Sequence, residues 1–353
     1  MYVYGGSNVD QNNIIIENNT IENSNGKIYL SSSKGIVVRN NLMKNEYLSS
    51  YRPGAWGGGG TYEDGVQFQY YYFFKLVVTP HSSCSSDGAI VMSGGYSDNS
   101  VFYNNTVIGL CCGFSTYGDN LSIHGNYIEG TSSIGVYLGM RGSSKVYDNF
   151  IVDSNLPFRF GSVDRTTFDN RVHYVYRNKV YTPDAGNAMY IHYDNTGPSV
   201  TEAYIYHNTF IAHQGPQISG YVKNFQPIRS GFVFVNNIIS TDSIAFYTWS
   251  TSDEYEDLFT VDYNWISGRY YSKESALWVP VPSNIQYPDG PPFWNPTVEP
   301  PDFTNIRGRD VVDAGIDVSK EFVVGGVTYP ALPGISGADY YGPPDMGAYE
   351  YRP

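Results

Sequence analysis

An asparagine in one fixed apolar setting returns nine times along this chain. The phrases are IIIENNTI (14–21), IVVRNNLM (36–43), SVFYNNTV (100–107), LSIHGNYI (121–128), KVYDNFI (145–151), HYVYRNKV (173–180), AYIYHNTF (203–210), FVFVNNII (232–239) and FTVDYNWI (259–266). They align on Asn19, Asn41, Asn105, Asn126, Asn149, Asn178, Asn208, Asn237 and Asn264, at separations of 22, 64, 21, 23, 29, 30, 29 and 27 residues. Asparagine is depleted in strands and favours turns, so its return inside strand-like runs demands a common cause.

A strand phrase repeating at 21–30 residues is the mark of a solenoid. A meander of hairpins would need two-residue turns and antiparallel alternation. Here one phrase recurs at one coil length, so successive copies stack in parallel. The residues three before and two after each asparagine are almost all apolar, as in Ile16 and Ile21, Val38 and Met43, Phe102 and Val107, and Ile205 and Phe210. They are expected to face inward at a bend, with the asparagines piled into an amide ladder that satisfies their buried polar groups. The separation of 64 leaves room for two or three coils with an insertion.

Composition agrees with an all-β reading. Aromatic residues reach 16%, with 34 Tyr, while charged residues are only 16%. Helix-favouring residues at helical spacing are scarce, and β-formers are broken by Gly and Asn. The net charge of −13 disfavours nucleic acid and anionic membranes as partners. No apolar run is long enough to span a bilayer. The start MYVYGGSNVDQ has neither a basic region nor an apolar core of a secretory signal, which leaves a trimmed mature segment or export without a cleaved signal. Of the three cysteines, Cys84 has the choice of bridging Cys111 or Cys112, or all three serve as small buried apolar residues.

The Asn-x-apolar repeat resembles the right-handed parallel β-helix of the pectate-lyase-like superfamily, over roughly residues 10–270. The tail strengthens the likeness. VVDAGID (311–317) followed by PDMGAYEY (344–351) is similar to the closing segment of secreted bacterial β-helix proteins, among them lyases of the alginate-lyase and chondroitinase-B type. The resemblance implies one right-handed β-helix with a C-terminal extended capping segment, located outside the cell or on its surface. The expected organisation is coils over 1–270, with a long insertion around 46–88. A Pro-rich extended segment and cap over 271–353 then packs on the same helix, with the tail motifs as a cap over the last coil. Asp345, Gly347 and Glu350 are expected to be structural. The Gly-rich stretch 52–65 is expected to be a surface loop.

Function is sought on the outward side of a second strand column, GVYLGMRG (135–142), PFRFGSVD (157–164), AMYIHYDN (188–195) and AFYTWSTS (245–252). Alternation sends Val136, Leu138, Phe158, Phe160, Met189, Ile191 and Phe246 inward. It leaves Tyr137, Arg141, Arg159, Tyr190, His192, Asp194, Tyr247 and Trp249 outside, on strands about 4.8 Å apart. Residues 141–179 carry seven basic residues (Arg141, Lys145, Arg159, Arg165, Arg171, Arg177, Lys179) against four acidic ones (Asp148, Asp153, Asp164, Asp169), a surplus of +3 in an acidic chain. Arginines grip sugar carboxylates or sulfates bidentately, and tyrosine and tryptophan offer platforms to sugar rings.

Two chemistries fit. A lyase needs the uronate carboxylate neutralised and its α-proton removed. Arg141 and Arg159 suit the first task; His192 or Tyr190 suits the second. A hydrolase needs two carboxylates roughly 5–9 Å apart, for which Asp164 and Asp194 are the pair. Tyr137, Arg165, Tyr247 and Trp249 are the expected binding residues for a poly- or oligosaccharide. The motifs of polygalacturonases are absent from the sequence. The pairs Asp98-Asn99, Asp119-Asn120, Asp169-Asn170 and Asp194-Asn195 suit Ca²⁺ or simply make turns; no other cofactor or metal is expected. A competing reading is a non-catalytic adhesin, filament or phage tail protein that binds glycans, as a monomer or homo-oligomer. His124, His173 and His207, beside ladder positions, are expected to face solvent.

Overall fold

The computed structural model describes residues 2–4, 11–12, 14–22, 28–31, 33–44, 62–63, 66–67, 88–92, 98–110, 112–131, 134–139, 142–161, 171–193, 201–220, 231–249, 259–272, 285–286, 293–295, 302–305, 311–339 and 344–348. Among them the chain is all-β, with one short 3₁₀ turn at Gly337–Asp339.

Each coil contributes to three stacked parallel faces. Face 1 holds Ile28–Ser31, Gly88–Met92, Cys112–Tyr117, Ile134–Gly139 and Leu156–Gly161, in that pairing order. Face 2 holds Ile15–Glu17, Val37–Arg39, Val101–Tyr103, Leu121–His124, Ser144–Tyr147, Arg171–Tyr176, Thr201–Tyr206, Phe232–Val235 and Phe259–Asp262. Face 3 begins with Thr20–Glu22, Leu42–Lys44, Thr106–Ile108, Tyr127–Glu129 and Phe150–Val152. The later long strands Lys179–Tyr193, Thr209–Gly220, Ile238–Trp249 and Trp265–Ser272 run through face 3 and on into face 1. Long parallel sheets stepping one coil at a time fit a parallel β-helix.

The bend between faces 2 and 3 explains the repeated phrase. Each ladder asparagine donates its side-chain amide to the Oδ1 of the next, from Asn19→Asn41 at 2.9 Å to Asn237→Asn264 at 2.9 Å. That Oδ1 also accepts the donor's own backbone N–H. The same side-chain amide donates to a carbonyl of the preceding coil, as Asn208 does to Val175 at 2.8 Å. From Asn41 onward the rungs are buried, so the ladder satisfies polar groups that would be costly if left unpaired.

The residue before each rung supplies the turn. Asn18, Asn40, Asn104, Gly125, Asp148, Arg177, His207, Asn236 and Tyr263 all have φ between 52° and 63°. Asn, Asp, His and Gly enter this left-handed region more readily than other residues, whereas Arg177 and Tyr263 are held there at a cost. Inside the bend the expected apolar rows are buried: Val38, Met43, Phe102, Val107, Ile205 and Phe210 are each 0% exposed. So are Val136, Phe158, Phe160 and Met189 on face 1; the Ile191 side chain lies outside the described residues.

Four expectations change. Asn41 bonds straight to Asn105, and Val37 pairs with Val101, so the 64-residue interval inserts no further rung. His173 and His207 are 1% and 4% exposed rather than solvent-facing. The ring of His124 is sandwiched between Tyr103 (5.1 Å) and Tyr147 (4.6 Å). The tail's described part does not sit on the last coil alone. It lies along the outside of the bend, where Val318, Phe322, Val324, Tyr329 and Leu332 pack on Tyr176, Tyr204, Tyr206, Val233 and Val235.

The two tail motifs hold each other and grip the bend. Gly315 N–H donates to Pro344 O at 2.7 Å, and Met346 N–H to Val311 O at 2.9 Å. Asp313 N–H donates to buried Asp345 Oδ1 at 2.7 Å. Asn236 exchanges hydrogen bonds with Ile316 at 2.7 and 2.8 Å and accepts Gly347 N–H at 2.7 Å. Gly347, at φ 100°, lies so close to Ile238 that a Cβ would come within 2.6 Å of its Cδ1. Asp345 and Gly347 are structural, as expected; Glu350 lies outside the described residues.

The parallel pairing of face 3 reaches Ile285–Gln286, which pairs with Trp265 and Ile266. Phe293–Asn295 pairs antiparallel with Asp302–Asn305. At the end of the Gly-rich stretch, Tyr62–Glu63 pairs antiparallel with Val66–Gln67, just beyond it. Cys112 is buried beside Ile134, while Cys84 and Cys111 lie outside the described residues.

Candidate functional site

Face 1 sets the register of the outward residues. Ser115, Tyr137, Arg159, Tyr190, Gln217, Tyr247 and Tyr271 form one row across adjacent strands. Two residues on, a second row reads Tyr117, Gly139, Gly161, His192, Ser219 and Trp249. Sequence reasoning skipped the coil carrying Gln217 and Ser219. Tyr190 and Tyr247 are therefore not neighbours; Gln217 stands between them.

Tyr137, Arg159 and Tyr190 are the described centre of the site. The Arg159 guanidinium carbon lies 5.6 Å from the Tyr137 ring centroid and 5.7 Å from that of Tyr190. A cation between two aromatic faces is held by both ring quadrupoles. The Nε of Arg159 is buried and has no hydrogen-bond partner among the described residues. An unpaired buried donor costs about 1–3 kcal/mol, so Arg159 is held here against a local penalty. Beside Arg159, Gly139 and Gly161 give the second row two positions without side chains, and His192 occupies the next.

The remaining candidates are placed less fully. Arg141, Asp164, Arg165 and Asp194 lie outside the described residues. For His192, Tyr247 and Trp249 the backbone and register are described, but not the side chains. The basic surplus of 141–179 is divided between faces. Lys145 and Arg177 belong to face 2 and its bend, and Lys179 to face 3. Arg177 is committed to Asp148 by a two-pronged pair at 2.9 and 2.7 Å.

Two of the Asp-Asn pairs are explained by turns. Asp98 Oδ1 accepts Asp119 N–H at 2.9 Å, and Asp119 Oδ1 accepts Ser143 N–H at 2.7 Å. Asn120 donates to Asn99 Oδ1 at 2.7 Å, and both asparagines have positive φ. Among the described residues no group of three or more His, Cys, Asp or Glu side chains forms a metal site.

A second aromatic assembly went unread in the sequence. On the outside of face 2, two residues before the ladder, Tyr103, His124, Tyr147, Tyr176 and Tyr206 stack ring on ring at 5.1, 4.6, 4.8 and 5.0 Å. Arg39 closes one end, with its guanidinium carbon 5.9 Å from the Tyr103 ring and its Nη1 donating to the Tyr103 hydroxyl at 2.7 Å. The tail covers the other end, where the Tyr206 hydroxyl donates to Pro333 O at 2.5 Å. Ring faces in this column are spent on one another, so it offers edges rather than platforms. Burial pushes the His124 imidazole below its ordinary range, against an opposing pull from Asp148.

No protein-family model, curated protein or solved structure matches the chain. No helix of the described residues is long and apolar enough to cross a membrane.

Proposed function

We propose that this chain is a single right-handed parallel β-helix of the pectate-lyase-like kind, clasped by its C-terminal segment, that acts outside the cell on an acidic polysaccharide. The reaction proposed is β-elimination at a uronate. The observation that carries this is the Arg159 guanidinium between Tyr137 and Tyr190 on an outward sheet face, with its Nε unpaired among the described residues. A fixed guanidinium neutralises a uronate carboxylate and lowers the barrier to removing the neighbouring proton. His192 follows on the adjacent strand, two register positions along, and is the proposed base. Glycoside hydrolysis by Asp164 and Asp194 is the enzymatic alternative.

Incubation with alginate, pectate and glycosaminoglycans, with and without Ca²⁺, tests the proposal. New absorbance from 4,5-unsaturated uronates is expected on one of them. Silence across the panel sinks the lyase reading.

The uninterrupted ladder and the aromatic column beside it favour a second reading, a rigid glycan-binding rod without chemistry. Arg159→Ala and His192→Ala separate the two. An enzyme loses turnover while keeping its fold, whereas a rod keeps its assembly in solution scattering.

A further inference from the structure

We propose that Tyr137 and Tyr190 are positioning residues whose ring faces hold the Arg159 guanidinium as a hook for the carboxylate or sulfate of an acidic sugar. This rests on the acidic-glycan reading and gives the tyrosines a different task from stacking on sugar rings.

The geometry is symmetrical. Strand pairing puts Tyr137 one strand before Arg159 and Tyr190 one strand after, in the same register row. The guanidinium carbon is 5.6 Å from one ring centroid and 5.7 Å from the other. A ring thus lies within cation–π reach on either side of Arg159 along the row, and its terminal N–H groups are the ones proposed to meet an acceptor. Arginine has five donors fixed in a plane and no acceptor, so an oxyanion lying in that plane is its natural ligand. No salt bridge to Arg159 occurs among the described residues. Its row neighbours beyond the tyrosines, Ser115 and Gln217, are uncharged. The substitution Arg159→Lys would keep the charge but lose the planar fork and the Nε donor.

The test uses the full chain labelled with ¹⁵N-arginine, with the Arg159 Nε–H resonance assigned through Arg159→Lys. Sodium sulfate and sodium glucuronate are titrated separately at constant ionic strength. A saturable shift of that resonance is expected with at least one, and the tighter anion names the group. Tyr137→Phe and Tyr190→Phe keep the ring face and are expected to titrate like the unaltered chain. Tyr137→Leu and Tyr190→Leu are expected to weaken binding by about threefold to thirtyfold. Tyr137→Met serves where a leucine variant loses its far-ultraviolet spectrum.

No saturable shift in the unaltered chain overturns the hook. Leucine and methionine variants that bind like the unaltered chain overturn the clamp. Tyrosine-dependent anion binding without cleavage of any glycan keeps the clamp and removes the lyase. Glycan cleavage with anion binding indifferent to the tyrosines keeps the lyase and removes the clamp.

Discussion

Asn41 donates its side-chain amide to Asn105 at 3.0 Å although 64 residues separate them, the same bond that joins Asn105 to Asn126 across 21. The ladder is thus indifferent to loop length and strict about the rung, which makes the rung the place to test it.

Asn126 donates to Asn149, Phe102 and His124 and accepts from both nitrogens of Asn105. Asn126→Ala strands these buried partners together and is expected to cost about 3–5 kcal/mol in urea unfolding. Asn19→Ala, at a half-buried rung, is expected to cost about 1 kcal/mol. Equal costs at the two positions would refute the ladder as a source of stability.

Gly125 precedes a rung at φ 63°, and a Cβ there would stand 2.7 Å from Asn104 Oδ1. Gly125→Ala combines left-handed strain with that clash and is expected to lower stability by about 1–3 kcal/mol. Asn104→Gly at the equivalent bend is expected to cost less than Gly125→Ala in the same denaturation series, since glycine meets no such strain.

His207 is buried at the bend, and burial pushes its imidazole down to about 4. The unfolded chain binds a proton near pH 6.5 that the folded chain refuses until about pH 4. Stability is therefore full above 6.5 and falls as pH drops toward 4, by about 3 kcal/mol from this group. His207→Asn, which tolerates the positive φ, is expected to flatten that part of the stability profile. An unchanged slope between pH 6.5 and 4 in the variant would refute the assignment.

Thr182 is 1% exposed, and its hydroxyl has no hydrogen-bond partner among the described residues. Its register partner on the next coil is Ala212, where Thr131 by contrast meets Ser154 at 2.7 Å. Ala212→Ser offers the missing partner and is expected to raise stability by up to about 1 kcal/mol, read as a higher thermal midpoint. A fall in the midpoint would mean that the added oxygen does not fit.

The rungs and the apolar rows were legible because each coil repeats them, and a repeated residue reports its own environment. Arg159 was legible as an outward residue from alternation alone. The burial of His207 was not, because the phrase HNTF marks a bend without saying what covers it, whereas His173 shares the inward face of its strand with Val175 and alternation would have found it. The cover on His207 comes from Gly347 and its neighbours, far along the chain. The Tyr103-to-Tyr206 column was missed although its members share one place in every phrase, because one member is His124 and the coils beyond it carry Arg39 and Val235 there. Gln217 escaped because Gln217–Gly220 carries no charge or ring to draw the eye.

The bond between Asn41 and Asn105 also says how such a chain is free to change. The stack counts turns and ignores mileage. A coil can carry a short return or a long excursion, and the next rung still lands in place. Whatever decorates the outside is then separable from what keeps time inside, so the outer surface can be re-equipped one coil at a time.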